Sequence, residues 1–157
     1  MTSVFVSLGS NYHRQRNIKL ALQTLGNHFD SLKISPAYQS EPINGYGEAY
    51  FNLCVGFTTD LSPAKLKELF TAIEQSLGRD RNTSANVSID IDLLLYGNLV
   101  TKNDELTLPH PDIARYAHVL VPLLDIAPDL VMPDSGESLQ QLCQAVQAER
   151  LKPIPLT

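Results

Sequence analysis

Two periods of apolar and polar residues succeed one another along the chain, and their order outlines a fold. Ser3 to Leu8 is a short, mostly apolar run of strand length, turned by Gly9, Ser10 and Asn11. From Tyr12 to Leu25 the residues Ile18, Leu20, Ala21, Leu22 and Leu25 recur at helical spacing, with Gly26 as the stop. Ser and Asn in the preceding turn read as ordinary helix caps, and the same turn could offer backbone N–H groups to an anion. Leu32 to Ser40 reads as a second strand, and Glu41 to Glu48, holding Pro42 and two glycines, as a loop. Ala49 to Asp60 alternates with period two, so Phe51, Leu53, Val55 and Phe57 share one face and Tyr50, Asn52 and Cys54 the other. Ser62-Pro63 opens a helix whose buried stripe is Leu66, Leu69, Phe70, Ile73 and Leu77, closed by Gly78.

A polar loop from Arg79 to Asn86 leads into the strand Val87 to Gly97, and Leu99-Val100 is expected to return as a hairpin. Leu106 to Leu108 is extended and Pro109-His110-Pro111 forces a rigid bend. His118 to Ile126 predicts a buried helix closed by Pro128, and Ser138 to Ala148 a terminal one. Helices too few to separate every strand predict an α+β fold, a mainly antiparallel sheet with helices packed on it, ferredoxin-like in outline. At 157 residues one domain, 1–157, is expected.

Composition narrows the partners. Hydrophobic residues at 43% and charged residues at 18% suit a chain that buries a core. A net charge of −5 without a basic run argues against nucleic acid or an anionic membrane surface. An anionic ligand must therefore be met by local Arg, Lys or metal. Cys54 and Cys143 stand apart with no partners at metal spacing, which reads as two free thiols in a reducing compartment. With no export signal and no apolar run of spanning length, the expectation is a cytoplasmic protein and a monomer.

The candidate chemistry lies in the strand from Val87. Val87, Ile89, Ile91, Leu93 and Leu95 are expected on one face, and Ser88, Asp90 and Asp92 on the other. Two carboxylates about 7 Å apart along a strand repel each other unless water or a cation lies between them. Oxygen ligands so spaced suit Mg²⁺, which is commonly held by one or two carboxylates together with substrate phosphates. The alternative is a wet sheet face on which both residues are merely solvated.

These residues carry a resemblance. Asp90-Ile91-Asp92-Leu93-Leu94-Leu95-Tyr96-Gly97, then Leu108-Pro109-His110-Pro111, then Val121 to Pro128, resembles hydroxymethyl-dihydropterin pyrophosphokinase of folate biosynthesis. Leu8 to Asn11, Tyr50-Phe51-Asn52 and Ile73 to Arg79 agree too, so the likeness runs from about residue 4 to 130. It implies a Mg²⁺-dependent transfer of pyrophosphate from ATP to the pterin alcohol, giving AMP, with ATP and hydroxymethyl-dihydropterin as the partners. By correspondence, Asp90 and Asp92 hold two Mg²⁺ ions and act in catalysis with Arg79. Glu74, Arg79, Leu93 and His110 fall at nucleotide positions. Ser40, Ile43, Tyr50, Asn52 and His118 fall around the pterin. Taken alone, Glu74 and Arg79 read as a solvated pair, His110 as a bend residue, and His118 equally as core.

The chain also departs from the family pattern. Val87 stands where the family carries arginine, three residues before the first metal Asp, and the common tryptophan of the preceding loop is absent. Tyr116 occupies another usual arginine position, with Arg115 one residue early and Arg81 in the loop as possible substitutes at the nucleotide. Each lost arginine removes a charge-assisted contact to phosphate, about 1.5–3 kcal/mol for one hydrogen bond to a charged group. Two readings follow: a working enzyme, or a non-catalytic paralogue that binds nucleotide or pterin through the inherited site. If Val87 lies at the open end of the loop, Val87→Arg should raise turnover; if it is buried, the same change should lower stability.

Overall fold

The computed structural model describes residues 1–80, 82, 85–146 and 151–156. Its main sheet is built from β1 (Thr2–Ser10), β2 (Lys33–Ile34), β3 (Ala37–Ser40), β4 (Tyr50–Thr59), β5 (Asp90–Tyr96) and β8 (Lys152–Ile154), in the order β5-β1-β4-β3-β8 with β2 also on β4. All pairings are antiparallel. The helices α1 (Arg14–His28) and α2 (Pro63–Ser76) connect strands that are not neighbours. Strand β4 lies between β1 and β3, and β1 lies between β4 and β5, which is the interleaved pair of βαβ units of a ferredoxin-like sheet.

Both faces of this sheet are covered. On one, Val4, Val6 and Leu8 of β1 and Leu53, Val55 and Phe57 of β4 pack against Ile18 and Leu25 of α1 and Leu66 and Phe70 of α2. The period-two and period-3.6 stripes read from the sequence meet there, each fully buried aliphatic side chain stabilising by about 1.5–3 kcal/mol. On the other face, Cys54, Leu94 and Leu95 pack against α4 (Ala117–Ile126) and α5 (Leu139–Ala145). The face carrying Asp90 and Asp92 is therefore dry at its far end and open only near the two carboxylates, not wet throughout. The change occurs at a bulge: Phe5 pairs with Leu95 and Val6 with Leu93, so Leu94 is the extra residue and both Leu94 and Leu95 are buried.

Several boundaries differ from the sequence reading. Strand β5 begins at Asp90, so Val87, Ser88 and Ile89 precede it, and Val87 is only 6% exposed. Helix α1 starts at Arg14 from a His13 with φ of 42°, uses no side-chain cap, and runs through Gly26 to His28. Asn11, expected as a cap, is instead committed to the loops described below. The strand expected over 32–40 is broken at Ser35-Pro36 into β2 and β3. Past Gly97 the chain does not return on β5; β6 (Thr101–Lys102) pairs with β7 (Thr107–Leu108) as a separate hairpin. A short helix, α3 (Asp112–Arg115), follows the Pro-His-Pro bend, and β8 completes the edge beside β3. Ser138 and Gln141 form the capping box that starts α5. Among the described residues, no helix is long and apolar enough to cross a membrane.

Candidate active site

Edge strand β5 has β1 on one side only, and two contacts occupy part of its free edge. Glu74 of α2, 3% exposed, accepts the Ile91 N–H at 2.9 Å through Oε2. The His110 N–H donates to the Leu94 carbonyl at 2.9 Å. Between these two caps, Leu93 shares the outward main-chain parity of Ile91. Glu74 is thus a buried edge cap, not a solvated residue. Its expected partner is also drawn in: Arg79, its side chain 14% exposed, donates to the Ile89 carbonyl at 2.9 Å and lies 3.5 Å from Asp90 Oδ1.

Asp90 and Asp92 stand at the start of β5, opposite Gly9 and Ser7 of β1. Burial pushes the Asp92 carboxyl up to about 8, helped by the charge of Asp90 and its hold on the shared proton, then by the charges of Asp112 and Glu74. Among the described residues, no group of three or more His, Cys, Asp or Glu is arranged to hold a metal alone. Two adjoining hard oxygen donors with excess negative charge fit Mg²⁺ completed by phosphate oxygens.

His110 is shifted down by burial, against the carboxylates of Asp112 and Asp90 and in the same direction as the Arg115 charge. Its Nδ1 accepts the Asp112 N–H at 3.1 Å, so the neutral ring carries its proton on Nε2 and can donate from there. The 3.9 Å approach of Nδ1 to Asp112 Oδ2 is then not an ion pair.

Two cavities meet at the carboxylates. The first, about 240 Å³, is lined by Ser40, Ile43, Tyr50, Asn52 and His118 together with Asp90 and Asp92. The second, about 390 Å³, is lined by Glu74, Leu93 and His110, again with Asp90 and Asp92. All five residues assigned to a pterin thus share one hollow, and three assigned to a nucleotide share the other. Arg115, exposed on α3, and Tyr116 line neither; the Tyr116 ring stacks on His118 with centroids 5.2 Å apart. Arg81 lies outside the described residues.

Asn52, 6% exposed, spends both amide protons, on Ser40 Oγ at 2.8 Å and the Tyr38 carbonyl at 3.2 Å. Its Oδ1 is therefore the atom left for a ligand donor. Burial raises the Tyr50 hydroxyl, as does the Asp90 charge, with Arg79 opposing, so Tyr50 is a neutral ring on the cavity wall.

Two residues missed from sequence also belong here. Asp112 lines the first cavity and adds its charge to Asp92; its position two residues after His110 was the available signal. Asn11, buried at the end of β1, donates from Nδ2 to Ala85 at 2.7 Å and Glu48 at 3.3 Å and accepts the Val87 N–H at 2.6 Å. One amide thereby ties the 41–49 loop to the segment before β5. Gly47, at φ +85°, makes that approach possible, since a Cβ there would stand 2.5 Å from the Ala85 carbonyl oxygen. Gly47→Ala is expected to cost about 2 kcal/mol and to weaken ligand binding in the first cavity more than in the second. Chemical denaturation and two titrations would check it, and parental stability would refute it.

The chain is similar to known proteins over most of its length. The profile of the family described as 7,8-dihydro-6-hydroxymethylpterin-pyrophosphokinase (HPPK) matches residues 5–128. A Haemophilus influenzae protein named 2-amino-4-hydroxy-6-hydroxymethyldihydropteridine pyrophosphokinase is 34% identical over 140 residues, covering 86% of this chain and 88% of its own. A Pseudomonas aeruginosa protein of the same name is 34% identical over 157 residues, covering 97% and 96%. In fold, the chain is similar to Plasmodium falciparum HPPK-DHPS solved with pteroate, with a TM-score of 0.74 at 14% identity over 92% of this chain. It spans only 42% of that longer protein.

Proposed function

The chain belongs to the 7,8-dihydro-6-hydroxymethylpterin-pyrophosphokinase family, and from that premise we propose that it transfers pyrophosphate from ATP to 6-hydroxymethyl-7,8-dihydropterin in folate biosynthesis. The observation that carries this reading is that Asp90 and Asp92 line both cavities. A donor in one and an acceptor in the other would present their reacting atoms to the same two carboxylates.

The pterin occupies the first cavity. Asn52 Oδ1 accepts from the ring's amino or lactam N–H, with Tyr50 and His118 as aromatic walls and Ile43 and Asn44 at the rim. The nucleotide occupies the second cavity, its base towards the β6–β7 hairpin, within reach of the Leu93 main chain. His110 Nε2–H donates to a phosphate oxygen. Asp90 and Asp92 are the residues that would hold Mg²⁺, two ions in this reading, which would supply positive charge to the phosphates. The hydroxymethyl oxygen attacks the β-phosphorus, the bond from that phosphorus to the bridging oxygen on the α-phosphate breaks, AMP leaves with that oxygen, and the hydroxyl proton passes to solvent water. Arg79, which lines neither cavity but lies 3.5 Å from Asp90 Oδ1, is the described guanidinium in contact with that carboxylate and would add positive charge there. What the residues supply is alignment and electrostatic complementarity rather than covalent chemistry.

Among the described residues Lys67 is the one Lys or Arg lining either cavity, which favours a second reading, a binding protein that has lost turnover. A coupled assay of AMP formation separates the two. The enzyme reading expects AMP only when ATP, Mg²⁺ and the pterin are all present, and binding without AMP would support the other. Asn52→Ala should raise the KM for pterin about tenfold, the loss of about 1.4 kcal/mol, and leave that for ATP within about twofold. Equal losses for both substrates would remove the pterin from the first cavity.

A further inference from the structure

Lys67, Phe70, Thr71 and Glu74 follow one another at i, i+3, i+4 and i+7 on α2, and all four line the second cavity. Glu74 marks the carboxylate end. Lys67 lies two turns, about 10 Å, back along the helix. Among the described residues it is the one Lys or Arg on that cavity's walls, yet its charge is not aimed at the carboxylates. Its ammonium donates instead to the main-chain carbonyl of Glu105 in the turn of the β6–β7 hairpin.

Both partners of that bond belong to the walls of two hollows. Beyond it, between the outer face of α2 and the same hairpin, lies a groove of about 850 Å³. Both hollows are lined by Lys67, Thr71 and the turn from Asn103 to Leu106. The shared wall is a single side chain fixed by one bond to the turn, so its reach across the cavity depends on that donor.

We propose that Lys67 is a specificity-determining latch: bridged to Glu105, it forms the end wall of the nucleotide cavity and sets how large a purine the site accepts. This rests on the nucleotide occupying that cavity with its base towards the hairpin. With phosphates anchored at Asp90 and Asp92, the base has one direction in which to extend, and Lys67 stands across it. Removing the donor releases the Glu105 carbonyl to water and joins the nucleotide cavity to the outer groove. A base enlarged at its edge would then find room that the parent denies it.

The test compares ATP with two enlarged analogues, N6-benzyl-ATP and an 8-arylamino-ATP, in parent, Lys67→Ala, Lys67→Met and Lys67→Arg proteins. The parent should discriminate against both analogues by about tenfold or more in kcat/KM. Lys67→Ala should bring one of them within about twofold of ATP, while its KM for ATP rises a few-fold and kcat changes less. Lys67→Met, which keeps the stem without the donor, should relax discrimination partway, and Lys67→Arg should restore it. Unchanged discrimination in Lys67→Ala, or the same relaxation in Lys67→Arg, would overturn the latch. Amide exchange with and without Mg²⁺ and ATP tests the underlying placement separately. Protection at Leu93 and along residues 67–74 supports the nucleotide position; protection elsewhere refutes it whatever Lys67 does. Protection in place with discrimination unchanged refutes the latch alone.

Discussion

Asp92→Asn should lower Mg²⁺-dependent AMP formation by about 10³-fold, close to 4 kcal/mol of transition-state stabilisation, and should make the metal-free protein more stable at pH 8. Both effects have one cause. Burial, then the charges of Asp90, Asp112 and Glu74, hold the Asp92 carboxyl up to about 8 from its ordinary 3.8. Between those values the folded protein binds a proton that the unfolded chain has released. Stability is therefore fullest below pH 4 and is lost as the pH rises towards 8. The amide has no charge to suppress, so the variant should not show that loss. Mg²⁺ should stabilise the parent above neutrality and leave the variant nearly unmoved. Thermal denaturation from pH 5 to 9, with chelator and with Mg²⁺, reads the stability and the cation response, and the AMP assay reads the turnover. An equal Mg²⁺ response in the two proteins would take the cation away from Asp92.

Val87→Arg should lower stability by about 3–5 kcal/mol, the range for a buried charge left without a partner, and should not raise turnover. The resemblance implies an arginine at this position, which makes it an attractive place to restore charge. The fold closes that route. Val87 is 6% exposed, its N–H is held by Asn11 Oδ1 at 2.6 Å, and its carbonyl accepts from the Asn11 N–H at 3.0 Å. An arginine here must either bury its guanidinium or break the tie that fixes the start of β5. Urea denaturation should show a lower midpoint with an unchanged slope. A variant of parental stability with faster AMP formation would show that the site can open to admit the missing charge.

Much of the candidate site could be read in the chain because its signals are local. Asp90 and Asp92 betray themselves as two poor strand formers in alternate places of an apolar run. Tyr50 and Asn52 are placed opposite Phe51 and Leu53 by period two, and the structure puts them on one cavity wall. The Pro-His-Pro bend was visible for the same reason. The ferredoxin-like arrangement also followed from element order, since a strand-helix-strand unit whose strands are not adjacent leaves few ways to build an antiparallel sheet.

Other assignments depended on what lay opposite in space. Glu74 reads as a solvated residue on α2 until Ile91 is brought to its carboxylate. Lys67 reads as one more surface lysine until the β6–β7 turn arrives beside it. Asn11 looks like a helix cap, and becomes a tie between two loops because residues 48, 85 and 87 converge on it. The bulge at Leu94, which turns two consecutive leucines into the second core, is a register decision between β1 and β5. In this protein the sequence by itself determined which residues could form strands, stripes and ligands, because side-chain periodicity and turn chemistry act over a few residues. Only the tertiary structure decided which polar groups are desolvated and which charges face one another, because burial and Coulomb interactions depend on distance in space rather than along the chain.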